Sequence, residues 1–241
     1  MSPALAAIVL ALGVGQAADT SWHLVLQVPA YRLDLLRGAR VERTIHVAIG
    51  MRTHATPLGR FAVSSITWNP WWYPPPSPWA ANDTVTPPCP ANPVGRVKLG
   101  FAPLHFIHGT PAARSIGRAA SHGCVRVSQD DALALADLLV RAVLPESAGA
   151  AAEYAAGLAT RRMNLALPVL LEIRYELAEV RGDTLWLYPD VYRRIPGTAR
   201  RRQLTRRALA AAGRDSTAFG DEQLTALIAA SHRRPVSVAL P

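Results

Sequence analysis

The sequence predicts a mainly β fold with a few short helices and a helical C-terminal extension. Three observations carry that expectation: short alternating apolar runs over the first half, a proline-rich interruption that cannot be regular structure, and helical periodicity confined to a few later stretches. From Ser21 to Gly50, Leu24, Leu26 and Val28 alternate with Val25 and Gln27, and Leu33 and Leu35 alternate with Arg32 and Asp34. A turn at Arg37 to Ala39 then leads into "TIHVAIG", a further strand ending at Gly50. A Pro-Leu-Gly turn opens the next strand, about Arg60 to Trp68.

"WNPWWYPPPSPWAANDTVTPPCPANPVG" follows, where proline removes ladder donors and blocks helix continuation. Four of the six tryptophans, Trp68, Trp71, Trp72 and Trp79, lie in it, so the loop either covers a core edge or forms a cleft wall. "VKLGFAPLHFIHG" reads as one or two strands. Ser128 with Asp131 makes a capping-box-like start to a helix whose apolar face is Leu133, Leu135, Leu138 and Leu139. Residues 146–162 are Ala-rich and helix-prone, "PVLLEIRYELAEVRGDTLWLY" returns to strands around Gly182-Asp183, and the chain beyond Pro196 is helical and basic.

Half of the 241 residues are hydrophobic, enough for a core without disulfide staples. The net charge of +9 favours anionic partners, and it is concentrated: from Arg193 onward ten arginines face three acidic residues. The apolar run Ala4 to Val14 is too short to span a bilayer, and Gly15-Gln16-Ala17 ends in small residues, so residues 1–18 are expected to be an export signal. Two cysteines make no disulfide framework, and Cys89 reads as a free or buried thiol in the Pro-rich loop.

Chemistry concentrates between His105 and Asp131, where His105, His108, His122 and Cys124 fall close together. Zinc would suit a thiolate and three imidazoles, but the spacings match no familiar zinc pattern, and on one strand His105 and His108 would point to opposite faces. A buried structural cysteine sits poorly beside Gly123 and Arg126. Nucleophilic catalysis accounts for every neighbour, with His108 as base, Gly123 as the flexible turn that aims backbone N–H groups at an oxyanion, and Arg126 as a carboxylate clamp.

At these residues the chain resembles the L,D-transpeptidases with the YkuD-type catalytic domain. The resemblance rests on "IHGT" (Ile107 to Thr110), "SIG" (Ser115 to Gly117) and "SHGCVRV" (Ser121 to Val127), with "TPLGRF" and "NPVG" upstream, and covers roughly residues 22–140. It implies a mixed β-sandwich or barrel for the catalytic domain, taken as residues 19–195; the runs 141–165 and 196–241 lie outside the resemblance, the latter as the basic helical extension. It implies that Cys124 attacks a peptidoglycan stem tetrapeptide at its diaminopimelate-type residue. His108 would be the base, oriented by the Gly109 carbonyl, and the N–H groups of Gly123 and Cys124 would form the oxyanion hole. Arg126 would contact substrate, Ser121 and His122 would shape the loop, and Trp71 and Trp72 would close a lid over the cleft. No metal or cofactor is expected. The acyl group would pass to an amine, giving a 3–3 cross-link or a wall-anchored protein. Rivals are a hydrolase using the same Cys and His, a non-catalytic peptidoglycan-binding module, and a metal-dependent peptidase. The expected setting is the periplasm or cell wall. The chain is expected to be a monomer without nucleic-acid partners, its basic extension either packed on the domain or resting on anionic polymer or membrane.

Overall fold

The computed structural model describes residues 21–241, so the expected export signal lies outside the described residues. The strands of the first half are β1 (Trp22–Gln27), β2 (Arg32–Arg37), β3 (Arg40–His46), β4 (Ile49–Gly50), β5 (Gly59–Trp68), β6 (Val97–Ala102), β7 (His105–Gly109), β8 (Ala119–Ser121) and β9 (Val125–Val127). Helices α1 (Gln129–Val143) and α2 (Ala148–Ala156) follow, then β10 (Arg161–Arg174), β11 (Ala178–Arg181) and β12 (Thr184–Leu187). Helices α3 (Thr198–Ala211) and α4 (Asp221–Ala230) and strand β13 (Val236–Ala239) end the chain.

Eight strands form one mixed sheet in the order β3-β2-β1-β10-β5-β6-β7-β9. Most neighbours are antiparallel, as the short turns require, whereas β1/β10 and β7/β9 are parallel. The two edges nearly meet. Just beyond β3, Ala48 pairs with Arg126 of β9 through N–H···O contacts of 2.8 and 2.9 Å, and β4 pairs with β8 alongside. Closure removes most of the unpaired edge and puts the alternating apolar residues inside. Leu24, Leu26, Leu33, Leu35, Ile66, Leu99 and Ile107 are fully buried there.

α1 seals one side of this core with Ala132, Leu135, Ala136, Leu139 and Val140. Its start is held by the Ser128 hydroxyl, which accepts from the Asp131 N–H at 3.0 Å and donates to the Asp131 carboxylate at 2.7 Å. The helix-prone stretch ends at Ala156, and β10 already begins at Arg161. Its ladder to β5 shifts between Asn164 and Val169, where Pro168 cannot donate.

The helical extension is completed by a strand. β13 pairs with β12 of the Gly182-Asp183 hairpin, and α3 and α4 pack on this three-stranded sheet around Leu185, Leu187, Leu209, Phe219, Leu224 and Ile228. Many of its arginines are engaged internally. Buried Arg201 donates to the Tyr188 carbonyl at 2.7 Å and to Ser231 Oγ at 2.8 Å, Arg206 pairs with Asp221, and Arg214 pairs with Asp183. Among the described residues no helix is long and apolar enough to cross a membrane.

Candidate active site

The strand register lays out the floor of a cleft. Lys98 on β6 pairs with His108 on β7, and His108 pairs with Arg126 on β9, so these three side chains form one row across the sheet. In the next row toward the mouth, Gly100 pairs with Phe106, and Cys124 sits just ahead of β9. Side chains two residues apart share a face, which places the thiol, the imidazole and two cations on one surface. All five side-chain-bearing members line a cavity of about 490 Å³. Among the described residues no Asp or Glu lines it.

His108 is 4 % exposed, and its Nδ1 lies 2.7 Å from the Gly109 carbonyl oxygen. A carbonyl can only accept, so Nδ1 carries the proton and Nε2 keeps its lone pair. Burial pushes the imidazole down to about 4; Arg126 and Lys98 push the same way, and the Gly109 carbonyl opposes them. At neutral pH His108 is therefore an uncharged acceptor. A Cβ added at Gly109 would meet Gln129 Oε1 and force that side chain to move away from the Arg96 N–H, from which it accepts at 3.0 Å.

Burial raises the Cys124 thiol above its ordinary value; the Phe106 N–H, Arg126 and Lys98 each pull it back by favouring the thiolate. Its turn is tight. Ser121 Oγ donates to the Cys124 carbonyl and accepts from the Gly123 N–H at 3.2 Å. The Gly123 N–H, expected to face an oxyanion, is thus engaged by Ser121, which is buried and can satisfy both groups at once. Gly123 has φ +111°, a region glycine favours, and an added Cβ would lie 3.1 Å from His105 Nε2. Arg126 is half-buried, with Nε lacking a hydrogen-bond partner.

His105 and His108 do not diverge as strict alternation predicts; both line this cavity. The β6/β7 ladder shifts between Gly100 and Ala102, and His105 begins its strand directly after Leu104, whose φ of +59° bends the chain. Among the described residues no group of three or more His, Cys, Asp or Glu is placed to hold a metal ion. Both cysteines are free, Cys89 on the surface.

The Pro-rich loop forms the other wall. Trp71, Trp72 and Trp79 all line the cavity. The loop is anchored by Asn92, fully buried, whose Nδ2 donates to the carbonyls of Pro70, Thr86 and Pro87, and by a Trp72–Thr86 bridge with both N···O distances 2.9 Å. Trp79, rather than Trp71 or Trp72, makes the ring contact with the cysteine turn: it stacks on His122 at 3.8 Å and 2°. His54 meets the same ring edge-on at 4.9 Å. Lys98, Phe106 and His54 were not singled out from the sequence, and Trp79 was named there only as one of the loop tryptophans that could form a cleft wall. Lys98 carried a signal, since it alternates with Val97 and Leu99 and must therefore face away from the core.

A mainly β, nearly closed sheet with a thiol, a tethered imidazole and two cations in one cleft defines a candidate cysteine-centred acyl-transfer site. Residues 21–149 match the model of the YkuD L,D-transpeptidase catalytic domain, and the chain belongs to that family. Over 119 residues it is 29 % identical to a Bacillus subtilis (strain 168) protein named "Putative L,D-transpeptidase YkuD", a match covering 49 % of this chain and 60 % of the relative. A second protein of that organism, named YqjB, is 26 % identical over 119 residues, covering 47 % and 63 %. The chain thus spans about three-fifths of the length of these curated relatives. Similar solved structures include L,D-transpeptidase 3 from Mycobacterium tuberculosis in complex with a faropenem-derived adduct, at 14 % identity, TM-score 0.43 and coverage of 64 % and 60 %. Another is an L,D-transpeptidase from Mycobacterium smegmatis, at 13 % identity, TM-score 0.41 and coverage of 64 % and 58 %.

Proposed function

We propose that this protein is an exported acyltransferase that works on peptidoglycan stem tetrapeptides through a Cys124 thioester. The observation that carries the reading is the acid-free cleft in which Cys124 shares one surface with a neutral, tethered His108 and two cations.

As the sulfur adds to the carbonyl of the third stem residue, its proton passes to His108 Nε2, whose lone pair is free because Nδ1–H is held by Gly109. The Cys124 N–H receives the oxyanion, joined by the Gly123 N–H when Ser121 Oγ releases it. The C–N bond then breaks, His108 returns the proton to the departing amine of the terminal residue, and a thioester remains. An acceptor amine reverses these roles: it bonds to the carbonyl carbon, gives its proton to His108, and expels the thiolate, which is reprotonated. Arg126 offers its guanidinium to the carboxylate of the leaving residue. The aromatic wall of Trp71, Trp72 and Trp79 limits water at the thioester, which favours an amine over hydrolysis. Such a substrate places the enzyme at the cell wall, consistent with the apolar leader-like run at Ala4 to Val14.

Intact-mass spectrometry after exposure to a tetrapeptide tests this. The expected result is a tripeptidyl adduct on the wild type and none on Cys124→Ala. An adduct that survives in Cys124→Ala refutes the nucleophile. Cross-linked dimers among the products support transfer, whereas tripeptides alone convert the reading to a hydrolase.

A further inference from the structure

A second cavity, about 440 Å³, adjoins the thiol cleft, and the two share Lys98, Leu104 and Phe106 as their partition. Its polar lining comes from Ser64, Ser65 and Thr67 on β5, Lys98 on β6 and Arg162 on β10. Like the first, it has no Asp or Glu in its wall among the described residues. The Lys98 ammonium lies 4.8 Å over the Phe106 ring, and no ion pair joins Lys98 or Arg162 to a carboxylate among the described residues. Arg162 reaches neutral partners only, Asn164 Oδ1 at 3.3 Å and Ser65 Oγ at 3.4 Å. The two cations also face each other closely enough that Arg162 lowers the Lys98 ammonium's proton affinity, after burial itself. Two cations without a counter-charge, set among hydroxyls in a concave site, are arranged for an anion.

The partition joins this cavity to the chemistry. The Cys124 thiol lies 3.5 Å from the Leu104 carbonyl oxygen, and the Phe106 N–H points to the same sulfur. A group seated over Lys98 and Arg162 therefore approaches the thioester from the side away from Arg126 and the tryptophan wall. Gly100 lines the same cavity, and a Cβ added there would sit 3.0 Å from Ser65 Oγ.

We propose that this second cavity is the acceptor subsite, and that Lys98 and Arg162 hold the carboxylate of an acceptor whose attacking amine is borne on the same carbon. This rests on the acyl-enzyme reading above. The cations serve twice: they anchor the carboxylate, and their field favours the neutral form of the adjacent amine, the form that can attack. In the transfer step the amine nitrogen bonds to the acyl carbon as the C–S bond breaks. One amine proton passes to His108 and then to the departing sulfur, so no oxidant or further reactant is needed.

The test uses the full chain, a tetrapeptide donor, and glycine or glycinamide as competing acceptors, with products separated by mass. Glycinamide has the less basic amine, so more of it is free base at neutral pH; a preference for glycine therefore reports on the carboxylate. Wild type is expected to favour glycine. Arg162→Gln, which lies outside the thiol cleft, is expected to lower the glycine-to-glycinamide ratio by about tenfold or more while the Cys124 adduct still forms; Lys98→Met, which lines both cavities, is expected to lower the same ratio, read per acyl-enzyme formed because its acylation slows as well. Lys98→Arg is expected to keep the preference. Equal use of both acceptors by the wild type, or an unchanged ratio in both variants, overturns the acceptor subsite and leaves the acyl-enzyme standing. Failure of the wild type to acylate overturns both.

Discussion

Tyr192→Phe is a sharp test of how the segment after the family-matched region reaches the site. The Tyr192 hydroxyl donates to the Gly50 carbonyl at 3.0 Å and accepts from the Thr56 N–H at 3.1 Å. Thr56 Oγ1 in turn accepts from the Gly50 N–H at 2.8 Å. This clamp closes the turn that carries Met51, whose N–H donates to the Ser121 carbonyl at 2.8 Å, and His54, whose ring meets His122. Phe keeps the stack on Tyr175, 5.5 Å away at 16°, and removes only the oxygen. Gly50 and Thr56 are both buried, so water cannot replace that oxygen freely. Two buried groups left unpaired cost about 2–4 kcal/mol together. For a domain of this size that lowers Tm by about 5–15 °C. Because the turn bears on the Ser121–Cys124 loop, the rate of Cys124 acylation, followed by intact mass well below either Tm, is expected to fall several-fold as well. A Tm within about 2 °C of wild type would show that the turn does not depend on the clamp. A lowered Tm with an unchanged acylation rate would show that the clamp supports the fold without positioning the site.

Four further outcomes are expected. His108 is held down to about 4 against an ordinary 6.5, so the unfolded chain binds its proton first as pH falls; stability is lost between those values, by about 3 kcal/mol, and His108→Gln should lose less over the same interval in urea melts. The same neutral imidazole should keep acylation on a plateau from neutral pH down toward 4–5, and an acid limb near 6.5 would contradict it. Gly109→Ala forces Gln129 aside and tilts the carbonyl that holds His108, costing about 1–3 kcal/mol, and should slow acylation beyond what the Tm loss explains; an unchanged rate would free the Gly109 carbonyl of its orienting role. Trp71→Ala with Trp72→Ala should shift products from transfer toward hydrolysis, and an unchanged ratio would refute the lid.

The strands were legible because burial on one face writes itself into alternation. Leu24, Leu26, Leu33 and Leu35 read as inward-facing and are fully buried. The Ser128 cap was equally readable, since a hydroxyl three residues ahead of a carboxylate has a local mechanism that needs no tertiary partner. Strand β13 was not, because its four residues are a strand only by virtue of β12, far away in the chain.

The site divides along the same line. Cys124, Gly123 and Arg126 sit within three positions of one another, so local chemistry exposed them. Lys98 and Arg162 did not stand out, because alternation says which face a residue takes and says nothing about which strand lies beside it. Lys98 enters the site through its pairing with His108, and Arg162 through the ladder between β10 and β5, which resumes around the Pro168 irregularity. Trp79 and His54 reach His122 only after the loop is pinned by Asn92 and the turn by Tyr192. The nucleophile's identity is thus a local property of this chain. What surrounds it, and so which acceptor it would prefer, is a property of register, and register is what a single sequence leaves open.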